Sequence, residues 1–159
     1  VLGTVNADFL LGGDGDDTFV SGLGRDWVNG GRGNDTLEAS AGHDILIGGK
    51  GADTFAFEAP PEDGYAPVIK DFKHGTDRIA VEDIVFNHVG FGGFDGAPMD
   101  DIHFGYGRQA KTPDQGLIYN IAKGFLYYDP DGSGSMGDKV LVAKLGAGTA
   151  LSFEDFWVV

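Results

Sequence analysis

Residues 30–38 read Gly-Gly-Arg-Gly-Asn-Asp-Thr-Leu-Glu, or GGRGNDTLE. Three glycines in four positions lead to an aspartate, and an aliphatic residue follows two places later. The same order returns in GGDGDDTFV (12–20) and GGKGADTFA (48–56). Looser copies fill the spaces, so Asp8, Asp17, Asp26, Asp35, Asp44 and Asp53 stand nine residues apart without a slip. Leu10, Phe19, Val28, Leu37, Leu46 and Phe55 follow in step; Asn6, Gly15, Gly24, Gly33, Gly42 and Gly51 precede in step. Six units therefore run from Gly3 to Ala56. The first (GTVNADFLL) and fifth (ASAGHDILI) are degenerate at the leading glycines, and the third begins with Ser21. A fixed period of this kind marks a stacked repeat, not a glycine-rich linker.

The last three residues of a unit, such as Thr36-Leu37-Glu38, alternate polar, apolar, polar. That is a very short strand with its middle side chain facing inward. The six residues before it must turn the chain, and glycine tolerates the positive φ such turns need. One unit is half a coil; two units close a flattened coil. Stacked coils then form two parallel sheets, one lined by Leu10, Val28 and Leu46, the other by Phe19, Leu37 and Phe55. The expected fold class is all-β: a parallel β-roll over residues 1–57, capped by a small, mainly antiparallel region over 58–159.

Units two apart share an edge at the strand spacing of about 4.8 Å. Asp17 and Asp35, or Asp26 and Asp44, are then expected roughly 5 Å apart, the span of two oxygens across a calcium ion with Ca–O distances of about 2.3–2.6 Å. The turn glycines Gly13, Gly15, Gly22, Gly24, Gly31, Gly33, Gly42, Gly49 and Gly51 expose backbone carbonyls that can complete the oxygen set. Together with Asp8, Asp17, Asp26, Asp35, Asp44 and Asp53 they are the candidate ligands, for about four or more calcium ions. Magnesium demands a tighter octahedron and keeps its waters. Zinc asks for His or Cys, which the turns do not supply in pattern. Two like charges 5 Å apart repel by about 3 kcal/mol at an effective dielectric near 20. Several such pairs rival the roughly 5–15 kcal/mol that stabilises a whole domain. The metal-free roll is expected to be largely unfolded, with binding and folding one event.

Composition agrees. Among 159 residues, 25 acidic side chains against 11 basic ones give a net charge of −14, which repels nucleic acid and anionic membrane and attracts cations. An apolar content of 42% allows a packed core. There is no cysteine, hence no disulfide and no thiol nucleophile. No window approaches the ~18 apolar residues of a membrane-spanning helix, so membrane insertion is not expected. The chain opens on Val1 without a signal-peptide pattern, and the repeat starts two residues in, so a C-terminal piece of a longer protein is expected.

GGDGDDTFV, GGRGNDTLE and GGKGADTFA match the pattern G-G-x-G-x-D-x-U-x at every defined position. The chain thereby resembles the repeats-in-toxin (RTX) proteins, whose nonapeptides bind calcium in a β-roll. The resemblance covers about a third of the chain. It implies calcium in the turns and export by a bacterial type I ABC transporter that reads an uncleaved C-terminal signal. It implies a secreted, extracellular location.

After Phe57 the period stops. VIKDF (68–72) and DRIAV (77–81) read as short strands joined by Lys73–Thr76, and the stretch resembles the region that caps such rolls. VEDIVFNHV (81–89) reads as a short helix. LIYNI (117–121) and FLYYD (125–129) read as a hairpin, and KVLVAKL (139–145) as a further strand, in a small antiparallel sheet packed on the end of the roll. In DPDGSGSMGD (129–138), Asp129, Asp131 and Ser133 take alternate positions as in the first half of an EF-hand-type loop. The twelfth position is Val140 instead of glutamate, so a calcium site and a long acidic turn are both open. The final SFEDFWVV places Ser152 to cap one helical turn with Asp155. Its acidic residue followed by apolar ones resembles the terminus of type I secretion substrates such as serralysin-type proteases; a core-docking tail is the alternative, and both can hold.

No HExxH, GxSxG or phosphate-binding loop appears, and His43, His74, His88 and His103 are too scattered for a ligand set, so no catalysis is expected. The leading expectation is a monomeric calcium-folded module of a larger exported protein, with the exporter as partner. The alternatives are a polysaccharide-binding module, using Arg25, Arg32 and Lys50 on outward positions, and the C-terminal domain of a serralysin-like metalloprotease.

Overall fold

Each pair of nonapeptides makes one turn of a flattened coil in the computed structural model, which describes residues 1–58, 65–82, 97–99, 103–112, 114–132 and 139–159. Strands β1 (Phe9–Asp14), β3 (Trp27–Arg32) and β5 (Ile45–Lys50) stack in one sheet. Strands β2 (Thr18–Val20), β4 (Thr36–Glu38) and β6 (Thr54–Phe57) stack in the other. Neighbours are parallel, with Leu10 beside Val28 and Val28 beside Leu46, and with Phe19 beside Leu37 and Leu37 beside Phe55.

The strands of the first sheet are longer than the three-residue reading, because they run on into the glycine pair of the next unit. Gly31 pairs with Gly13 and Gly49 with Gly31. A Cβ on Gly31 would lie 2.2 Å from the Gly13 carbonyl oxygen, so only glycine lets the backbones close there.

The coil does not stop with the repeat. β7 (Val68–Ile69) lies parallel to β5, and β8 (Arg78–Val81) parallel to β6. These two strands do not pair with each other; each extends one sheet of the roll, making a fourth coil. β7 is shorter than VIKDF because Asp71 leaves the ladder and its carboxylate accepts the amides of Gly48 and Gly49, at 3.0 and 2.8 Å. The helix read at 81–89 starts on Val81, which is the end of β8; 83–89 lie outside the described residues.

The hairpin forms as read. β11 (Leu117–Asn120) pairs antiparallel with β12 (Phe125–Tyr128), and β12 with β13 (Val140–Lys144). It is not a separate sheet set on the end of the roll. Lys144 of β13 pairs with Val68 of β7 in parallel, and β10 (Phe104–Tyr106) runs parallel to β11. One eight-stranded sheet results, in the order β1-β3-β5-β7-β13-β12-β11-β10. The junction covers the edge that β7 would otherwise expose.

The chain terminus closes the second sheet. β14 (Phe156–Val158) lies parallel to β8, with β9 (Ala97–Pro98) on its far side. Phe19, Leu37, Phe55, Ile79 and Phe156 thus form one inward row across five strands, each fully buried. Each such side chain contributes about 1.5–3 kcal/mol of burial, which is why the thin interior holds. Before β14, residues 153–155 form one 3-10 turn, and the Ser152 amide donates to the Asp155 carboxylate at 2.8 Å.

Candidate metal centre

The turns lie along two edges. The front edge carries residues 12–17, 30–35 and 48–53, between β1 and β2, β3 and β4, and β5 and β6. The back edge carries 3–8, 21–26 and 39–44. On both, the aspartate of one coil accepts the amide of the aspartate in the coil before it. The Asp17 amide donates to Asp35 Oδ1 at 2.8 Å, and the Asp35 amide to Asp53 Oδ1 at 3.0 Å. The Asp8 amide donates to Asp26 Oδ1 at 2.8 Å, and the Asp26 amide to Asp44 Oδ1 at 3.0 Å. The front ladder continues one step beyond the repeat, where the Asp53 amide donates to Asp77 Oδ1 at 3.1 Å.

One carboxylate oxygen is therefore committed to the backbone. The other differs from turn to turn. Oδ2 of Asp26, Asp35 and Asp53 is buried without a hydrogen-bond partner, on residues only 1% exposed. An unpartnered buried carboxylate oxygen costs more than the roughly 1–3 kcal/mol of a neutral polar group, so it calls for a cation. The glycines complete the cradle. Cβ atoms on Gly30 and Gly48 would stand 2.2 and 2.3 Å from Oδ2 of Asp35 and Asp53, and one on Gly12 would stand 2.5 Å from Asp17 Oδ2. Gly13, Gly31 and Gly49 have φ of +100°, +108° and +103°, a conformation that turns their peptide groups as no L-residue readily does. Gly15, Gly33 and Gly51, with φ between +113° and +135°, shape the other side of each front turn; Gly22, Gly24 and Gly42 are the back-edge positions with positive φ.

Among the described residues no three His, Cys, Asp or Glu side chains gather as a metal-holding group. Carboxylates alone cannot fill a coordination sphere here, so turn carbonyls must supply the rest. That donor set is all oxygen, which suits calcium.

Burial raises the pKa of Asp26, Asp35, Asp44, Asp53 and Asp77, and the amide each accepts pulls it partly back. Neighbouring carboxylates push Asp26, Asp35 and Asp53 further up. For Asp44, the Ser21 hydroxyl and His43 add to the pull down. Each of these carboxylates therefore binds a proton more readily in the fold than it would in water.

Other candidates fare differently. Asp8 is half-buried, and its Oδ2 is filled by the amide and hydroxyl of Thr4 at 2.6 and 2.8 Å. Asp129 is buried at the end of the hairpin, where its amide donates to the Gly116 carbonyl at 2.8 Å, and Asp131 is exposed. Ser133 and the rest of that loop to Asp138 lie outside the described residues. Arg25, Arg32 and Lys50 do not form one patch: Arg32 and Lys50 pair across β3 and β5 at the front edge, while Arg25 lies on the back edge. There Arg25, His43, Lys70 and Lys144 surround a pocket of about 420 Å³, and the Tyr65 ring packs edge-on to His43 at 4.8 Å.

Asp71 and Asp77 were missed in the sequence. Asp77 was within reach of it: Gly75-Thr76-Asp77-Arg78-Ile79 repeats the G-x-D-x-U order, and Gly75 has φ +73°.

Residues 1–28 and 20–55 match the model of the RTX calcium-binding nonapeptide repeat, in four copies. Solved structures that share the fold include two repeat subunits of one enzyme. The AlgE6R3 subunit of the Azotobacter vinelandii mannuronan C5-epimerase aligns with a TM-score of 0.55 and 24% identity, over 96% of this chain and 78% of that one. The AlgE6R2 subunit of the same enzyme aligns with a TM-score of 0.54 and 22% identity, over 98% and 90%. No curated protein matches.

Proposed function

We propose that this chain, whose residues 1–55 are RTX calcium-binding nonapeptide repeats, is the calcium-folded module of a larger exported bacterial protein, with a type I secretion signal in its last residues. The observation that carries the folding half is the buried, unpartnered Oδ2 of Asp35 and Asp53 between stacked glycine turns. Bound calcium supplies the positive charge that lets these carboxylates stay ionised in the folded roll. In the cytosol, where calcium is scarce, the net charge of −14 and the packed aspartates keep the chain unfolded and fit to pass an ABC exporter. At the roughly 10⁻⁴–10⁻³ M calcium that extracellular modules meet, the coils close. Circular dichroism tests this: little regular structure in chelator, strand signal on titration with calcium, and no substitution by equal magnesium. A chain equally ordered in chelator would sink the reading.

A second reading is favoured by the back-edge pocket. Arg25, Lys70 and Lys144 have no ion pair among the described residues, and they cluster despite the acidic surface. The structural neighbours come from an enzyme of mannuronan, an acidic polysaccharide. A polysaccharide-binding role for this module would use Arg25, Lys70 and Lys144. Affinity electrophoresis through a uronate polymer at low salt checks it; mobility unchanged from that in a neutral gel rejects it.

A further inference from the structure

The six turns divide by edge. All three units that match the repeat at every defined position, GGDGDDTFV, GGRGNDTLE and GGKGADTFA, form front-edge turns; the three departures form back-edge turns. We infer that the roll holds calcium along its front edge only, between Asp17 and Asp35 and between Asp35 and Asp53, and that the back edge is closed by the chain's own side chains. The inference rests on the calcium reading and adds to it which carboxylates the ions use.

The opening of each turn decides the matter, through Ser21 at a first position and otherwise through the second position. On the front edge that second position is Gly13, Gly31 or Gly49, at φ near +100°, and Oδ2 of the following Asp35 and Asp53 receives no hydrogen bond. On the back edge it is Thr4, Gly22 or Ser40. The Thr4 amide and hydroxyl both donate to Asp8 Oδ2, at 2.6 and 2.8 Å. The Ser40 amide donates to Ser21 Oγ at 2.9 Å, and Ser21 Oγ donates to Asp44 Oδ2 at 2.9 Å. Serine and threonine thus occupy the oxygen that a metal would use at both ends of the back column. Asp26 keeps an open Oδ2, but it faces a closed carboxylate on either side.

The fifth position separates the edges again. On the front edge it is Asp16, Asn34 and Ala52. The Asn34 amide donates to Asp16 Oδ1 at 2.6 Å, and the Ala52 amide to Asn34 Oδ1 at 2.8 Å, so oxygens line the turn. On the back edge it is Ala7, Arg25 and His43. None of these three side chains offers an oxygen. Arg32 and Lys50 stand on the front edge, at the outward third position, where Arg32 reaches Asp14 at 3.6 Å.

The front column also has a defined end. In the fourth coil Lys73 takes the second position. Its amide donates to Asp77 Oδ2 at 2.8 Å, and its Nζ donates to the Gly49 carbonyl at 3.0 Å. An ammonium group therefore occupies the step where a further ion would sit.

Equilibrium dialysis and titration calorimetry with calcium test the assignment on the full chain. About two ions per chain are expected, from the two front-edge gaps. Asp35→Asn, shared by both gaps, should lower that number and raise the calcium midpoint for folding at least about tenfold. Asp44→Asn, whose Oδ2 the Ser21 hydroxyl already fills, should leave the number unchanged and the midpoint within about threefold. The double change Ala39→Gly with Ser40→Gly, made together with Ser21→Gly, should add an ion by opening the back edge. The inference is overturned if Asp26→Asn removes calcium as Asp35→Asn does, or if the native chain binds about four ions or more. A chain that binds calcium with unselective losses refutes only the edge assignment. A chain that binds none refutes the calcium reading and this inference with it.

Discussion

Asp155, four residues before Val159, holds His74 Nδ1 at 2.7 Å and the Gly75 amide at 2.9 Å, while its own turn supplies the Ser152 amide at 2.8 Å. The carboxylate is 2% exposed. It ties the C-terminal strand to the same turn, Lys73–Asp77, that ends the front column. Asp155→Ala should therefore destabilise the calcium-bound fold by about 2–4 kcal/mol, since several charge-assisted bonds go together. Denaturant unfolding in saturating calcium measures it, and an unchanged midpoint would show that the clamp contributes nothing.

Two front-edge glycines, one in each of two stacked turns, should respond differently. Gly30→Ala places a Cβ 2.2 Å from Asp35 Oδ2 and must displace the carboxylate. Gly15 has φ +113° but open space around its Cβ position, so Gly15→Ala costs only backbone strain, about 1–2 kcal/mol. Calcium titrations should show the Gly30 variant losing affinity at least about tenfold and the Gly15 variant shifting less. Equal shifts would mean that glycine matters here only for turn conformation.

Acid should act in opposite directions with and without calcium. Asp26, Asp35, Asp44, Asp53 and Asp77 have folded pKa values above the usual 3.8, through burial first. In the metal-free state the fold then binds protons more tightly than the unfolded chain. Its stability is greatest below the unfolded pKa and is lost as pH rises through the raised folded values. Metal-free chain should gain strand signal as pH falls from 7 towards about 4. With calcium present the same acidification should weaken binding, because protons compete for the carboxylates. A metal-free chain that stays unfolded down to about pH 4 would show that carboxylate repulsion is not what opens the roll.

Removal of Phe156–Val159 bears on export and folding together. Phe156 is fully buried at the end of the row that starts with Phe19. Truncation should abolish export by a type I system, and it should also raise the calcium needed for folding, contrary to what a free tail would do. Replacement of exposed Glu154 by alanine should leave the calcium titration unchanged. Normal export of the truncated chain would dispose of the secretion reading without touching the packing.

The roll itself was legible because its signal is arithmetic: Leu10, Val28 and Leu46 fall in one row simply by counting. So were the hairpin at 117–128 and the cap formed by Ser152 and Asp155, which depend on neighbours in the chain. The fourth coil was hidden because the period breaks: Asp53 to Asp77 spans 24 residues, against the 18 between Asp35 and Asp53. The joining of β13 to β7 rests on a single residue pair, Lys144 with Val68, and no local pattern announces it. The difference between open and closed carboxylates was half visible. Threonine at the second position and serine at the first can be read from the chain, but that Thr4 fills Asp8 Oδ2 and Ser21 fills Asp44 Oδ2 of another coil is geometry.

Every aspartate in the ladders reaches toward the N-terminus: Asp35 accepts from Asp17, Asp53 from Asp35, Asp77 from Asp53. The roll consequently has a building direction. A turn finds its acceptor only after its C-terminal neighbour has been laid, so the non-repetitive end is the foundation course and GTVNADFLL the coping. Loss of the first nonapeptide takes a donor from Asp26 alone, whereas loss of the β7–β8 coil strips the acceptors from the Asp53, Gly48 and Gly49 amides.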